Sequence, residues 1–245
     1  MTDIIVFGSN GQLGNRIEHY LQKSNLNCVF FTKKECDISD KKKLEKIYKK
    51  YKPAFVINAA AYTDVDGAEK NFEQALSINF EAVSNLVNIS NKFESVLIHF
   101  STDYVFNSKN KIPIKENSEK NPINKYGVSK HLGEEIVINQ AKKYFIFRIS
   151  WVYSQNGKNF PNTIIDLALK EKTLHVVDDQ LGVPTSVDFI SKMLLKIILN
   201  DESNKKYGIY NLIPSGHTTW YELAIKIVKK IKKNDNKNNY KVNNI

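Results

Sequence analysis

Tyr126 and Lys130 stand four residues apart in the run Tyr126-Gly127-Val128-Ser129-Lys130. On a helix that spacing puts both side chains on one face. A free tyrosine titrates near ~10, so proton transfer at neutral pH benefits from a fixed cation beside it. A lowering of ~2–3 units corresponds to ~3–4 kcal/mol, within reach of an ammonium in a partly dry site. With 12 Tyr and 36 basic residues, all but two of them Lys, such a pair also arises as an ordinary helical neighbour. Its context argues for chemistry. Ser101-Thr102-Asp103-Tyr104-Val105-Phe106 follows an apolar run, which would set its hydroxyls in the crevice at the carboxyl end of a strand. Near the start, Gly8-Ser9-Asn10-Gly11-Gln12-Leu13-Gly14 follows Ile-Ile-Val-Phe and opens a helical stretch. A dinucleotide turn, a hydroxyl and a Tyr–Lys helix together make a hydride-transfer constellation.

In the glycine turn, Gly8, Asn10, Gly11, Gln12, Leu13 and Gly14 are the candidate cofactor residues. Glycine permits the tight turn, and the helix N-terminus offers N–H groups and partial positive charge to a pyrophosphate. The spacing is GxxGxxG, with Ser9 where the GxGxxG fingerprint has a glycine; a purely structural turn would look similar. After the second strand the residues are Thr32-Lys33-Lys34, with no acid until Glu35. An acid there would favour the ribose hydroxyls of NAD, whereas Lys33 suits the 2′-phosphate of NADP, so NADPH is expected, with NADH allowed. Asp37-Ile38 would reach the adenine edge, or Asp37 would cap a helix. Asn58-Ala59-Ala60-Ala61-Tyr62-Thr63-Asp64-Val65-Asp66 ends the third apolar run. Its small residues let backbone pass close to a ligand, or let a helix pack tightly on a sheet.

The elements that must hold these residues can be read from the alternation of apolar runs and helical stretches. Strands are expected at Ile4–Phe7, Cys28–Thr32, Phe55–Asn58, Val96–Phe100 and Phe145–Ile149. Helices are expected through Leu13, Ile17 and Leu21, over Leu44–Tyr51 up to Pro53, over Ala75–Ile89 and over Tyr126–Asn139. Repeated βα units predict a Rossmann-like, doubly wound parallel sheet, α/β in class. After Ile149 the rhythm loosens, and a smaller, partly interleaved C-terminal substrate lobe is expected. It would hold strands at Leu174–Val177 and Tyr210–Leu212 and helices over Val187–Leu199 and Thr219–Lys232. The expected boundaries are 1–150 for the dinucleotide domain, 151–233 for the lobe and 234–245 for a frayed Lys/Asn-rich tail.

The 245 residues, 42% hydrophobic and 25% charged, are ordinary for a globular chain. The formal net charge of +10 invites a nucleic-acid reading. Against it, Arg16 and Arg148 are the only arginines, and Lys226–Ile245 carries +6 of that charge. No nucleic-acid partner is expected. Cys28 and Cys36 lack CxxC spacing, no apolar stretch reaches a membrane span, and the chain starts directly on a strand. A cytoplasmic protein with no membrane partner is expected.

The ordered set GxxGxxG, INAAAYTDVDGAE, STDYVF, YGVSK, FRISWVY and DDQLGVPTS resembles the extended short-chain dehydrogenase/reductase superfamily. Within it, the sequence closely resembles the dTDP-4-dehydrorhamnose reductase family, from Ile4 to about Val228. The resemblance implies reduction of a C4 keto group of a nucleotide sugar, with Tyr126 as general acid. Lys130 would hold the nicotinamide ribose and lower the Tyr126 pKa, and Thr102 would bond the same oxygen. Ala59, Ala60, Ala61 and Tyr62 would line the cofactor. Thr63, Val65, Asp66, Asp103, Asn159 and Phe160 would contact the substrate, with Trp151 packed against the sugar. Gln180 to Thr185, Thr219 and Trp220 would lie on the sugar or nucleotide side, and Asn79 would brace the active-site helix. Some family members hold Mg²⁺ through a carboxylate after the glycine turn. Here that stretch is Gly14-Asn15-Arg16, so no metal is expected. A homodimer is left open. Family chains run some tens of residues further, so a shortened end is expected. Another nucleotide-sugar reductase or epimerase, a non-catalytic NADP-binding subunit and a truncated remnant stay as alternatives.

Overall fold

Short apolar runs become strands because their β-branched and aromatic residues are buried on both faces, and the helices between them supply that cover. The computed structural model describes residues 3–107, 113–199, 206–234 and 240–245. In chain order its elements begin β1 (Ile4–Phe7), α1 (Gln12–Leu21), β2 (Cys28–Phe31), α2 (Lys41–Tyr51) and β3 (Phe55–Asn58). There follow α3 (Val65–Lys70), α4 (Phe72–Leu76), a π-turn over Ser77–Glu81, α5 (Ala82–Lys92) and β4 (Val96–Thr102). A 3₁₀ turn at Asp103–Val105 precedes α6 (Lys125–Gln140), β5 (Tyr144–Ile149), β6 (Val152–Tyr153) and α7 (Phe160–Lys170). The rest is β7 (Leu181–Gly182), β8 (Thr185–Ser186), α8 (Val187–Leu199), β9 (Gly208–Asn211), β10 (Thr218–Thr219) and α9 (Trp220–Asn234).

The main sheet is parallel throughout, in the order β2-β1-β3-β4-β5-β9. Alternate strand residues point to opposite faces. Ile5, Phe7, Val56, Leu97 and Ile146 form one core with Tyr48 of α2, Leu86 and Val87 of α5 and Val137 of α6. Ile4, Val6, Ile57 and Ile98 alternate with them and are equally buried. Both faces are therefore covered, as the expected α/β sheet requires. Local signals set the helix ends. Asp40 caps α2 by accepting from Lys43 N, and Lys52 closes it in the left-handed region (φ 45°) before Pro53. Asn124 caps α6 by accepting from Gly127 N at 2.7 Å.

The chain divides into two compact units, Met1–Ile149 with Ile190–Leu212, and Ser150–Phe189 with Ile213–Ile245. The first cut falls after Ile149; 190–212 groups with the first unit, and no cut falls at 233, where the lobe and the tail were expected to divide. The run expected as a strand at Tyr210–Leu212 is β9, Gly208–Asn211, and it pairs with β5 as the sixth strand of the main sheet. Leu174–Val177 is not a strand. Only an isolated bridge joins Thr173 to Asn244, and Leu174 turns into the second unit's core with Ile164, Ala168, Ala224, Val228 and Val242. Nor do Tyr240–Ile245 fray. Val242 is fully buried there, Lys241 N and Val242 N donate to Ala168 O, and Leu174 N donates to Asn244 O. Three apolar residues inside the Lys/Asn-rich run, Tyr240, Val242 and Ile245, supply the anchoring that its composition concealed. The rest of the expected tail, 235–239, lies outside the described residues.

Candidate active site

The order β2-β1-β3 reverses direction between β1 and β3, which makes that pair the switch point where open α/β sheets bind ligands. The glycine turn leaves β1 there, and Ala59–Ala61 leave β3 beside it. Gly8 has φ +80°, and a β-carbon on it would stand 2.6 Å from Ala60 N and 2.8 Å from Ala59 C. Gly14 sits on the turn itself, since its β-carbon would lie 2.1 Å from Gly8 O. The N-cap of α1 is Gly11, which brings no side chain to the first-turn N–H groups. A glycine-walled cradle at a helix N-terminus fits a pyrophosphate. Asn10 is exposed at its rim, and Gln12 and Leu13 are half-buried in the first turn.

Past β2, the Glu35 carboxylate folds back to accept from Thr32 N (2.9 Å) and Thr32 Oγ1 (2.8 Å), which holds its pKa below the usual carboxylate range. Lys33 is exposed, with its ammonium 3.8 Å from Asp37 Oδ2. Asp37 accepts from Ser39 N and Oγ at 2.9 and 2.8 Å, so it closes a local turn, while Asp40 caps the helix. Ile38 is buried in the sheet core, and its carbonyl accepts from Asn85 Nδ2 at 3.4 Å.

Thr102 ends β4, and its hydroxyl donates to Asp103 Oδ1 at 3.1 Å while accepting from Tyr104 N at 3.3 Å. Tyr126, in the first turn of α6, is buried against Ala68 and Ala75, with Tyr62 and Val65 packed on the same group. The Tyr104 ring meets it edge-on, centroids 5.5 Å apart. Burial pushes the Tyr126 pKa above the ordinary tyrosine value, and the Thr102 hydroxyl pulls against that. The expected lowering by Lys130 is absent in this state. The buried Lys130 ammonium donates to Phe100 O at 2.7 Å, and burial brings its own pKa down to about 8. Asp103, half-buried, is pushed up to about 6 by desolvation.

Asn79 lies on the π-turn and ties this region together. Its Oδ1 accepts from Tyr62 N at 2.9 Å, and its Nδ2 donates to Tyr62 O at 3.0 Å and to Ser129 Oγ at 2.9 Å. It braces α6 and the Ala-rich segment at once. Gly133 allows the approach, because a β-carbon there would be 2.2 Å from Asn79 O. Thr63 and Asp66 are exposed on the same segment, and Asp64 caps α3 through Gly67 N.

In the second unit, Trp151 (φ +43°) stacks on Trp220, with ring centroids 3.4 Å apart and planes 7° from parallel. A β-carbon on Gly182 would lie 2.1 Å from Trp151 Cε2, so this glycine closes on the indole. Phe160 leans on Trp220 at 4.3 Å. Asn159 caps α7, accepting from Asn162 N at 3.1 Å and donating to Ser154 O at 2.9 Å. One indole face of Trp151 is thus taken by protein, and Asn159 has a structural task that its sequence did not announce. Among the described residues, no group of three or more His, Cys, Asp or Glu could hold a metal ion. No described helix is long and apolar enough to cross a membrane.

The RmlD substrate binding domain matches residues 1–244 of the chain. The chain belongs to that family. Among its relatives is the dTDP-4-dehydrorhamnose reductase of Salmonella typhimurium, 34% identical over 237 residues that cover 94% of this chain and 79% of that protein. The spore coat polysaccharide biosynthesis protein SpsK of Bacillus subtilis is 35% identical, with 94% and 79% covered. Among solved structures, dTDP-4-dehydrorhamnose reductase of Bacillus anthracis in complex with NADP superposes with TM-score 0.91 at 35% identity, covering 100% of this chain and 84% of that one.

In this RmlD-family chain two buried groups escaped the reading of the sequence. Arg148 on β5 grips Glu134 on α6 with two bonds of 2.9 and 2.7 Å, donates to Glu116 O at 2.8 Å and lies over the Phe106 ring. Asn58 donates to His99 Nδ1 at 3.2 Å and accepts from Ala60 N at 3.1 Å, which fixes the backbone opposite Gly8. Burial and the Lys130 charge hold His99 well below the usual histidine range, so it stays neutral. Charged or polar residues inside otherwise apolar strand runs, His99 in Leu97–Phe100 and Arg148 in Phe145–Ile149, were the signal available.

Proposed function

We propose that this chain reduces the C4 keto group of dTDP-4-dehydro-L-rhamnose to the alcohol of dTDP-L-rhamnose, with NADPH as preferred reductant and NADH as the second. The convergence of Thr102, Tyr126 and Lys130 beside a glycine cradle at the switch point carries this reading. Gly8, Gly11 and Gly14 would seat the pyrophosphate, and Lys33 would face the ribose phosphate. When bound, the nicotinamide supplies the hydride that ends on C4 of the sugar. Tyr126 gives its phenolic proton to the C4 oxygen as the C–H bond forms, so ketone, hydride and proton balance as the alcohol. Its raised pKa keeps that proton in place throughout the neutral range, as a general acid requires. Thr102 bonds the same oxygen, and Lys130 places positive charge beneath the site.

The test is purified protein with dTDP-4-dehydrorhamnose and NADPH, following loss of nicotinamide absorbance and the sugar formed. Oxidation coupled to dTDP-L-rhamnose is the expected result. Turnover with a different keto sugar alone would move the assignment to another nucleotide-sugar reductase. Tight NADPH binding with no turnover on any keto sugar would favour a non-catalytic binding subunit.

A further inference from the structure

A threonine hydroxyl has one proton to donate and two lone pairs to accept with. At Thr102 the proton goes to Asp103 Oδ1, and Tyr104 N–H occupies one lone pair. The one remaining position is a lone pair, and the Tyr126 hydroxyl, hydrogen-bonded to Thr102, fills it. Bonded this way, Thr102 can accept from a neighbour but cannot donate to a keto oxygen. Stabilising the oxyanion that develops during reduction needs a donor.

We infer that Asp103 is a positioning residue whose charge state sets the direction of the Thr102 proton. As a carboxylate it takes that proton for itself. As a carboxylic acid it donates its own O–H to Thr102, and with Tyr104 N–H it fills both lone pairs in place of Tyr126, so the Thr102 and Tyr126 protons are both left for the substrate oxygen. The inference rests on the ketone reduction proposed above.

The surroundings allow the switch to work near neutral pH. Among the described residues no cation bonds Asp103. The titratable groups facing it are Tyr126 from α6 and Tyr104 on its own turn, and Asp66 from α3 acts on that same Tyr104. The nearby Lys130 ammonium on α6 is spent on Phe100 O. Desolvation pushes the Asp103 carboxyl up to about 6, opposed by the Thr102 bond and by the backbone N–H groups of Asp103 and Tyr104.

Two measurements on wild type and Asp103→Asn decide the matter. The first is kcat/KM for dTDP-4-dehydrorhamnose between pH 5 and 8 at saturating NADPH. Wild type should lose about tenfold as the pH rises through the Asp103 titration, the effect of one hydrogen bond, and then level off. In Asp103→Asn the amide donates to Thr102 at every pH, so the same ratio should shrink to within about twofold. The second is carbon NMR of aspartate-labelled protein, which needs no turnover. One carboxyl should titrate between pH 5 and 7 and be missing from the variant. A break retained in Asp103→Asn, a flat wild-type profile, or no such carboxyl overturns the inference. If the sugar is not reduced at any pH, the proposed substrate falls instead, and the NMR titration alone judges Asp103.

Discussion

Gly8 and Ala60 approach so closely that a β-carbon on Gly8 would stand 2.6 Å from the Ala60 nitrogen. Residue 8 also has φ +80°, a region that side-chain-bearing residues rarely adopt. Strain and overlap therefore coincide at one position, where the ends of β1 and β3 meet. Gly8→Ala should cost about 2–5 kcal/mol in urea unfolding, combining backbone strain with overpacking. Gly11 is the internal control, since the nearest atom to its added β-carbon is Gly8 O at 3.4 Å. Gly11→Ala should cost less than about 1 kcal/mol yet weaken NADP⁺ binding at least about tenfold, if the cofactor's phosphates press on that turn. Equal losses of stability in the two variants would contradict the geometry.

The buried Arg148–Glu134 pair should behave as a unit. Removing one partner strands the other charge where both side chains are at most 2% exposed. Arg148→Met should destabilise by about 3–5 kcal/mol, and Glu134→Leu in the same background should recover much of that. Arg148 also holds Glu116 O, and Glu116 in turn accepts from Asn211 N, so part of the loss will remain in the double variant. A double-mutant cycle in urea measures the coupling.

How much of this was legible beforehand depended on the range of the interaction. β1 to β5 could be placed because each is a short apolar run punctuated by a helix. Tyr126 and Lys130 could be singled out because the STDYVF run and the glycine turn give their spacing a chemical context, and Thr102 because the family resemblance assigns it a role. β9 could be read as a strand, but nothing local says that it completes the sheet beside β5; that depends on burial of Phe145 and Phe147 against Tyr210. Leu174 looked like a strand residue because an apolar run does not reveal whether it faces a sheet or two helices. The expected lowering of the Tyr126 pKa failed for a related reason. Spacing put Lys130 on the right face, but the Phe100 carbonyl, supplied by another strand, claims its ammonium.

Lys130 offers a test in which function and stability part. Its folded pKa, about 8, lies below the ordinary lysine value of 10.5. Between those values the unfolded chain binds more protons than the native one, so stability rises with pH through that window. Below it, a buried ammonium with one carbonyl partner burdens the fold. Lys130→Met should raise the unfolding free energy at pH 7 by about 1–3 kcal/mol, and the gap should narrow by pH 10. Reduction should fall at least about a hundredfold. Destabilisation at pH 7 would mean that the Phe100 bond outweighs desolvation.

Tyr126→Phe isolates the proton. The phenyl ring keeps its edge contact with Tyr104 and its packing on Ala68 and Ala75, so the fold should hold. What is lost is the hydroxyl that would protonate the C4 oxygen, with its bond to Thr102. Turnover should drop about 10²–10⁴-fold, with NADP⁺ affinity within about threefold of wild type. The direction of the Tyr126 pKa adds a second criterion. Burial pushes it upward, so its deprotonation falls above the neutral range and cannot produce a loss of activity between pH 5 and 8. Any break in that range belongs to another group. A variant that keeps turnover within a few-fold of wild type would show that the proton comes from elsewhere.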